Sequence, residues 1–287
     1  MKVLVTGIQG QLGYDVGKVL AARKIEYYAP TLKEMDITDC FAVLKILREY
    51  RPDAVIHCAA YTAVDKAEDE PEKCWTINVD GTRNLAEGCK EIGAKLLYVS
   101  TDYVFEGTGE QFYEVADPVN PQNVYGMTKL AGELVVKVLL KKYFIVRTSW
   151  VFGEHGNNFV KTMLRLAETK NEINVVCDQI GSPTYTADLA PLLCDMVQTE
   201  KYGVYHATNE GTCSWAEFAE EIFRLTEKNI QVKAVFTREY PTKAIRPLNS
   251  RMSKKKLSRT GFIHLPDSLE ALKRYLKELG AKEKTSS

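Results

Sequence analysis

The stretch Lys2-Val-Leu-Val-Thr-Gly7-Ile-Gln-Gly10-Gln-Leu-Gly13 decides the fold of this 287-residue chain. Its first five residues form an apolar run that predicts a short buried strand, and the apolar spacing after the glycines predicts a helix. Gly7 permits a tight turn, Gly10 lets the backbone approach a pyrophosphate, and Gly13 lets helix and strand pack closely. A strand, a glycine turn and a helix in this order are typical of a dinucleotide-binding fold, whose helix N-terminus favours phosphate.

Strands and helices alternate through the first 150 residues or so. This alternation predicts an α/β fold with a Rossmann-type, doubly wound parallel sheet over residues 1–150. The pattern loosens after Gly153 and predicts a smaller mixed α/β lobe over 151–287, which mainly binds substrate while residues 180–198 or so return to the first domain. The predicted strands are Lys2–Thr6, Ile25–Ala29, Asp53–Cys58, Lys95–Val99, Tyr143–Arg147, Gln231–Phe236, a short one near Val175, and Gly203–Ala207 in the smaller lobe.

Composition excludes several classes of protein. Hydrophobic residues make up 45% and charged residues 26%, and the 38 basic side chains balance 38 acidic ones, so charge gives no case for nucleic acid or an anionic membrane. No apolar run approaches the ~20 residues that span a bilayer, and the start lacks the pattern of a secretory signal. Seven scattered cysteines fit a reduced, cytoplasmic protein, and four isolated histidines lead us to predict no metal site.

The stretch Asn123-Val-Tyr-Gly-Met-Thr-Lys129 sets a phenol and an ammonium four residues apart at the start of a helix-patterned run. Such a pair lies on one helix face, and a nearby ammonium lowers the pKa of a phenol. Tyr125 and Lys129 therefore fit a proton donor to a carbonyl, although the same spacing is common on solvated helix surfaces.

The second predicted strand is not followed by the acidic residue that binds an adenosine ribose in NAD enzymes. Thr31 and Lys33 stand there instead, which disfavours strict use of NAD and leads us to expect NADPH, with NADH as the alternative. Asp36 is either a residue of the helix cap region or a contact to adenine.

Small residues and hydroxyls follow the next strands. Ala59-Ala-Tyr-Thr62 follows a buried strand where a backbone could pass close to a flat cofactor. Asn78 in the helix beyond it is either a surface amide, which the sequence favours, or a residue that fixes the structure by hydrogen bonds. Ser100-Thr-Asp-Tyr103 follows Lys95–Val99, and ligands bind at the carboxyl ends of such strands. These hydroxyls fit groups that polarise a carbonyl, or a turn that ends the strand.

Two further features suit a ligand. Trp150 follows the strand Tyr143–Arg147, where it is either a core residue or a stacking surface. The loop Arg246-Pro-Leu-Asn-Ser-Arg251 carries two arginines without a helical or strand pattern, which suits a diphosphate as well as solvent.

Together these motifs make the chain resemble the extended short-chain dehydrogenase/reductases, and most closely the branch of the dTDP-4-dehydrorhamnose reductases. The Gly7–Gly13 turn and the Tyr125/Lys129 pair belong to the whole superfamily. The branch-specific strings, which cover most of the chain, are Ala59–Glu68, Ser100–Phe105, Arg147–Gly153, Asp178–Thr184 and Arg246–Ser250.

The resemblance implies an enzyme that reduces the C4 ketone of dTDP-4-dehydro-L-rhamnose with NADPH or NADH, the last step of dTDP-L-rhamnose synthesis. It implies that Tyr125 donates the proton, that Lys129 lowers its pKa and holds the nicotinamide ribose, and that Thr101 aids the carbonyl. The residues expected to contact the cofactor are Gly7, Gly10, Gln11, Leu12, Gly13, Asp36, Ile37, Ala59, Ala60, Tyr61, Val99, Tyr125 and Lys129. Those expected to contact the sugar substrate are Thr101, Asp102, Trp150, Arg246 and Arg251.

Two alternatives stay open at this point. One is another nucleotide-sugar reductase or epimerase, since the Tyr/Lys chemistry is shared; a 4,6-dehydratase is disfavoured because Asp102-Tyr103 lacks the expected Asp-Glu. The other is a non-catalytic regulatory subunit on the same fold. The expected partner is the dTDP-sugar alone, without nucleic acid or membrane, in a chain that is either a monomer or a homodimer.

Overall fold

The computed structural model describes residues 1–283, and residues 284–287, the end of the predicted second lobe, lie outside the described residues. Its strands are β1 Lys2–Thr6, β2 Glu26–Tyr28, β3 Ala54–His57, β4 Lys95–Thr101, β5 Tyr143–Thr148, β6 Val151–Phe152, β7 Glu172–Val176, β8 Ile180–Gly181, β9 Thr184–Tyr185, β10 Gly203–His206, β11 Cys213–Ser214 and β12 Gln231–Val235. Its helices are α1 Gln11–Ala22, α2 Cys40–Tyr50, α3 Val64–Ala67, α4 Pro71–Trp75, α5 Gly81–Ile92, α6 Val124–Leu139, α7 Phe159–Leu166, α8 Thr186–Val197, α9 Trp215–Leu225, α10 Lys255–Arg259 and α11 Ser268–Glu283.

The main sheet has six strands in the order β10-β5-β4-β3-β1-β2, and every neighbouring pair is parallel. This arrangement confirms the predicted parallel α/β sheet. The chain crosses from β1 to β2 on one side and returns to β3 on the other, so the strand order reverses between β1 and β3. Ligands of open α/β sheets bind at the carboxyl ends of the strands at such a point.

Two apolar clusters cover the two faces of this sheet. On one face the sheet packs against α1 and α8, through residues such as Val16 and Leu193. On the other face Leu47 of α2, Leu85 of α5 and Val136 of α6 join a second buried cluster. The sheet is therefore wound on both faces, as predicted.

A third apolar cluster holds the smaller part together. Its members include residues of α7, α9, α11 and the parallel pair β7-β12, which packs on α9. The strand predicted at Gly203–Ala207 as part of that lobe lies elsewhere. It is β10, which pairs with β5 at the edge of the main sheet, because the fully buried Tyr205 packs into the first cluster. The division of the chain at residue 150 stays a prediction.

The predicted helix that holds Asn78 is broken. A π-helical turn over Thr76–Asp80 separates α4 from α5 and rotates Asn78 inward, where only 1% of its surface is exposed. The prediction that Asn78 is a surface amide is wrong for this reason. None of the helices in residues 1–283 is long and apolar enough to cross a membrane.

Candidate active site

A cavity of ≈ 1010 Å³ opens at the carboxyl ends of the main sheet. It runs from Leu32 and Asp36, which follow β2, across the switch point to Thr148 and Trp150 at the end of β5. A concave site of this size and position is typical of an enzyme that binds a dinucleotide beside a second ligand.

The glycine turn forms the floor of this cavity. Gly7 has φ +73°, and a Cβ there would lie 2.7 Å from the Ala59 nitrogen, while a Cβ on Gly13 would lie 2.2 Å from the Gly7 carbonyl oxygen. Helix α1 starts directly after Gly10, which provides no side-chain cap, and its first turn carries no acidic residue. Free N–H groups and a positive helix end meet an open cavity, so the turn fits the diphosphate of a dinucleotide.

Most residues expected to contact the cofactor line this cavity. The lining includes Gly7, Gly10, Gln11, Leu12, Gly13, Asp36, Ile37, Ala59, Ala60, Val99, Tyr125 and Lys129. Tyr61 is absent from the lining. Its N–H donates to Asn78 Oδ1 at 2.8 Å and its hydroxyl donates to Glu70 Oε2 at 3.0 Å, so both groups are held by the protein outside the cavity.

The adenine side differs from the sequence expectation in one respect. An acidic residue does approach the loop after β2, because both the backbone N–H and the hydroxyl of Thr31 donate to Glu34 Oε2, at 2.7 and 2.8 Å. These hydrogen bonds lower the pKa of Glu34. Thr31 lines the cavity while Lys33 and Glu34 do not, so the ionised Glu34 carboxylate lies behind Thr31 at the adenine side.

Asn78 ties the loop after β3 to helix α6. Its amide accepts from the Tyr61 N–H and donates to the Tyr61 carbonyl and to Thr128 Oγ1, at 3.2 and 3.0 Å. The π-helical turn makes this possible by pointing the side chain at α6. Asn78 therefore positions the wall that carries Tyr125 and Lys129.

Helix α6 brings Tyr125 and Lys129 to the cavity. Asn123 caps it by accepting from the Gly126 N–H at 2.7 Å, and this fixes the first turn. The Lys129 ammonium donates to the Val99 carbonyl at 2.8 Å and lies 4.0 Å from the centre of the Tyr98 ring. Burial lowers the pKa of Lys129 to about 7, against a smaller opposing effect of the Glu133 carboxylate.

The phenol of Tyr125 behaves differently from the expectation. Burial raises its pKa above the ordinary value of 10.0, the Asp102 carboxylate raises it further, and only a hydrogen bond with the Thr101 side chain opposes them. The sequence predicts a pKa lowered by Lys129. The physical reason for the difference is that desolvation dominates and the ammonium is engaged with the Val99 carbonyl.

Thr101 and Asp102, at the end of β4, line the cavity but are both held by the protein. The Thr101 hydroxyl donates to Asp102 Oδ1 at 2.9 Å, and the Ser250 hydroxyl donates to Asp102 Oδ2 at 2.5 Å. Burial raises the pKa of Asp102 to about 6, although both hydrogen bonds oppose the rise. Asp102 thus links the end of β4 to the loop that carries Arg246 and Arg251.

Trp150 lines the far end of the cavity in an unusual backbone conformation, with φ +51°. One face of its ring stacks on Trp215 of α9, with the ring centres 3.6 Å apart and the planes inclined by 10°. Trp215 makes Trp150 a rigid wall whose orientation is fixed. Nothing in the sequence predicts this stacking, since 65 positions separate the two tryptophans along the chain.

Neither predicted arginine lines the cavity. Arg246 Nη2 pairs with Asp65 Oδ2 and its Nη1 lies 3.3 Å from the Tyr103 hydroxyl, while Arg251 Nη1 donates to Asn249 Oδ1 at 3.1 Å. Because Tyr103 does line the cavity, Arg246 lies at its margin. Arg251 points into its own loop and is not brought to the site.

Behind the cavity wall lies an ion pair that sequence reasoning missed. Glu133, one turn after Lys129, is fully buried and accepts from Arg147 through both oxygens, at 2.8 and 2.7 Å. The Ser100 hydroxyl donates to the same carboxylate at 2.7 Å. Helix α6 is thereby fixed to the ends of β4 and β5. The sequence feature that could have indicated this ion pair is Glu133 itself, a glutamate on the apolar face of a predicted helix.

No group of three or more side chains able to hold a metal ion occurs in the part of the chain that the structure describes. Asp15 accepts from the Thr186 hydroxyl and lies 3.7 Å from the Lys18 ammonium. Asp188 pairs with Arg274 at 2.7 Å. Both carboxylates are thus engaged by groups of the protein.

Comparisons with known proteins agree with this geometry. The model of the family described as RmlD substrate binding domain matches residues 1–281. The chain is 43% identical over 277 residues to the spore coat polysaccharide biosynthesis protein SpsK of Bacillus subtilis (strain 168), covering 96% of this chain and 97% of that one. It is 41% identical over 285 residues to a dTDP-4-dehydrorhamnose reductase of Aggregatibacter actinomycetemcomitans, with 95% and 97% covered.

A solved structure is similar over the same span. It is the dTDP-4-dehydrorhamnose reductase of Bacillus anthracis str. Ames in complex with NADP, which superposes with a TM-score of 0.94 at 45% identity. The similarity covers 96% of this chain and 99% of that one. Both parts of the fold, and the cavity with them, therefore lie within the matched region.

Proposed function

The chain belongs to the RmlD substrate binding domain family, that of the dTDP-4-dehydrorhamnose reductases, and from this premise we propose that it reduces dTDP-4-dehydro-L-rhamnose to dTDP-L-rhamnose. The reductant is NADPH, with NADH as the alternative, and the reaction is the last step in making this sugar donor. One observation carries the proposal: Thr101, Tyr125 and Lys129 line the same cavity as the glycine turn.

In this reaction the bound nicotinamide supplies a hydride to C4 of the sugar. The protein's task is to deliver a proton to the C4 oxygen, and Tyr125 is the donor. Its raised pKa keeps the phenol protonated at neutral pH. An alkoxide is far more basic than a phenolate, so the proton moves to the oxygen as negative charge develops there.

Lys129 acts on the phenolate that remains. Its pKa of about 7 means that the ammonium is present in a large part of the molecules at neutral pH, and a new negative charge nearby favours that form further. The Thr101 hydroxyl donates to Asp102 and accepts from the Tyr103 N–H, so its oxygen is held in one place. To stabilise the charge that develops on the C4 oxygen, Thr101 turns its proton from Asp102 to that oxygen.

The substrate's sugar lies against Trp150, and the margin with Arg246 takes its diphosphate. The stacking of Trp150 on Trp215 supports the first assignment, because a preset ring surface costs little ordering on binding. The position of Arg246 beside Tyr103 at the cavity edge supports the second. Asp102 shapes this end of the cavity. Arg251 orders the loop of residues 246–251 through its bond to Asn249.

The deciding experiment follows NADPH absorbance in the presence of dTDP-4-dehydro-L-rhamnose. We expect oxidation of NADPH and formation of dTDP-L-rhamnose by the wild type. A protein that binds NADPH but turns over no sugar would support a regulatory subunit instead. Turnover of another nucleotide sugar with none of this one would support a different reductase or an epimerase.

We also propose that the enzyme is cytoplasmic and works as a homodimer. All seven cysteines are free thiols, which fits a reducing compartment. Sedimentation of the purified chain at micromolar concentration tests the homodimer, and a monomer mass would contradict it.

A further inference from the structure

We propose that the Thr148 hydroxyl is the group that binds the carboxamide of the nicotinamide ring, an inference that rests on the proposed cofactor. Thr148 is the last residue of β5 and lies beside Thr101 in the sheet register. Parallel neighbours in register point to the same side of a sheet. Thr148 thus belongs to the same edge of the cavity as the proposed catalytic hydroxyl.

The hydroxyls at this edge differ in what they bind. Ser100 donates to Glu133 at 2.7 Å, Thr101 donates to Asp102 at 2.9 Å, and Ser149 donates to the Ser182 carbonyl at 3.0 Å. Thr148 Oγ1 is buried and has no hydrogen-bond partner among the residues that the structure describes. The protein therefore engages neither its donor nor its acceptor.

An unpaired buried hydroxyl costs stability, and valine would fill the same space without that cost. Thr148 is 5% exposed and is one of the residues that line the cavity. The other buried atoms without a partner in residues 1–283 belong to Tyr50, Tyr202 and His206, none of which lines the cavity. The cost at Thr148 is therefore offset only when a ligand fills the cavity.

The strand order identifies which part of the ligand arrives there. The glycine turn after β1 holds the diphosphate, and the cavity wall after β2 is the adenine side. The other half of the dinucleotide must run over β3 and β4, past Lys129, towards β5. Its outermost polar group is the carboxamide, which can accept from the Thr148 hydroxyl through its oxygen or donate to it through its NH₂.

The test compares two ligands on the full-length protein by calorimetry: NADP⁺, and 2′-phospho-ADP-ribose, which lacks the nicotinamide ring. Thr148→Val should weaken NADP⁺ binding by about fivefold or more, the effect of one hydrogen bond, and leave 2′-phospho-ADP-ribose unchanged. Thr148→Ser keeps the hydroxyl and should bind NADP⁺ within about twofold of the wild type. The NADP⁺ analogue with a 3-acetylpyridine ring lacks the NH₂ group and tells whether the hydroxyl donates or accepts.

Two controls separate binding from folding. Because the hydroxyl has no protein partner, Thr148→Val should melt at the same temperature as the unliganded wild type or higher. Tyr202→Phe removes another unpartnered hydroxyl outside the cavity, and should leave both affinities unchanged.

Several outcomes would overturn the inference. They are wild-type NADP⁺ affinity in Thr148→Val, equal weakening of both ligands, or a lower melting temperature of the unliganded variant. Weaker binding of dTDP-rhamnose with normal NADP⁺ binding would assign the hydroxyl to the sugar and also overturn it. A wild type that binds neither NADP⁺ nor NADPH would overturn the proposed function itself, and this inference with it.

Discussion

Arg246 and Asp65 form an ion pair that joins the loop after β12 to helix α3, across 181 residues of chain. The pair is partly exposed, and the backbone N–H of Ala244 donates to the other Asp65 oxygen at 3.2 Å. The arginine assigned to the substrate's diphosphate is thus already satisfied by a carboxylate. A diphosphate that binds Arg246 must share it with Asp65 or displace Asp65.

This competition gives opposite predictions for the two partners. Arg246→Ala should weaken dTDP-rhamnose binding by roughly tenfold, since a charge-assisted hydrogen bond is lost. Asp65→Asn should leave that binding unchanged or tighten it. Both are measured by calorimetry, with NADPH titrated separately and expected to stay constant. Equal weakening in the two variants would mean that the pair only holds the loop in place.

Tyr125→Phe removes the transferable proton and keeps the ring. We expect kcat to fall by roughly 10² to 10⁴ with NADPH affinity nearly intact. Steady-state kinetics and a cofactor titration measure the two effects. Tyr113→Phe is the matched control, because the Tyr113 hydroxyl bonds only to the nearby loop at Gly107 and Thr108. A kcat of Tyr125→Phe close to that of the wild type would show that Tyr125 is not the proton donor.

The parts of the molecule that the sequence predicted well are those specified locally. The strand, glycine turn and helix at residues 2–22 are fixed by neighbours in the chain, and so is the spacing that puts Tyr125 and Lys129 on one cavity wall. Phosphate binding by such a turn needs only backbone geometry.

The features that the sequence did not predict depend on contacts between residues far apart in the chain, or on small changes of helix geometry. Asn78 looked exposed because an ordinary helix would point it outward, and one π-helical turn reverses that. Trp215 and Asp65 meet Trp150 and Arg246 only after folding. The Thr148 hydroxyl became notable only when its neighbours' hydrogen bonds were known.

Lys129 makes stability depend on pH. Its pKa falls from 10.5 in a solvated chain to about 7 in the folded protein, so between these values the unfolded chain binds more protons than the folded one. Stability contributed by this residue therefore rises as pH increases from 7 towards 10, by at most about 1.4 kcal/mol per pH unit. Urea unfolding of the wild type and Lys129→Met from pH 7 to 9 measures it. If the difference in the free energy of unfolding between the two proteins does not change with pH, the pKa of Lys129 is not lowered by folding.

Glu34 sets the margin of cofactor preference. We expect the wild type to use NADPH at least as well as NADH, with a modest margin because the ionised Glu34 carboxylate lies by Thr31 at the adenine side. Glu34→Gln removes a charge that repels a 2′-phosphate, so the ratio of kcat/KM for NADPH over NADH should rise about threefold at low salt, and less at high salt. Lys33→Ala should change the ratio little, since Glu34 is hydrogen-bonded to Thr31 of the cavity lining, whereas Lys33 is neither in the lining nor bonded to it among residues 1–283. A shift of Glu34→Gln towards NADH would contradict this role.

The buried pair of Glu133 and Arg147 should dominate the stability of the cavity wall. Glu133→Gln leaves the Arg147 guanidinium buried without its counter-charge, so the free energy of unfolding should fall by about 3–5 kcal/mol. The matched control is Glu91→Gln, which breaks the exposed pair of Glu91 with Arg48 and should leave the free energy of unfolding nearly unchanged. Urea denaturation of both variants measures the contrast.

A double variant tests the cause. E133L with R147M replaces both charges by apolar side chains and should recover part of the loss, because no unpaired charge is then buried. Recovery stays incomplete, since the Ser100 hydroxyl loses its acceptor. A free energy of unfolding of the double variant that is lower than that of Glu133→Gln would contradict this cause. The hydrogen-bond network would then matter more than the charge. The wall that carries Lys129 would then depend on its hydrogen-bond geometry.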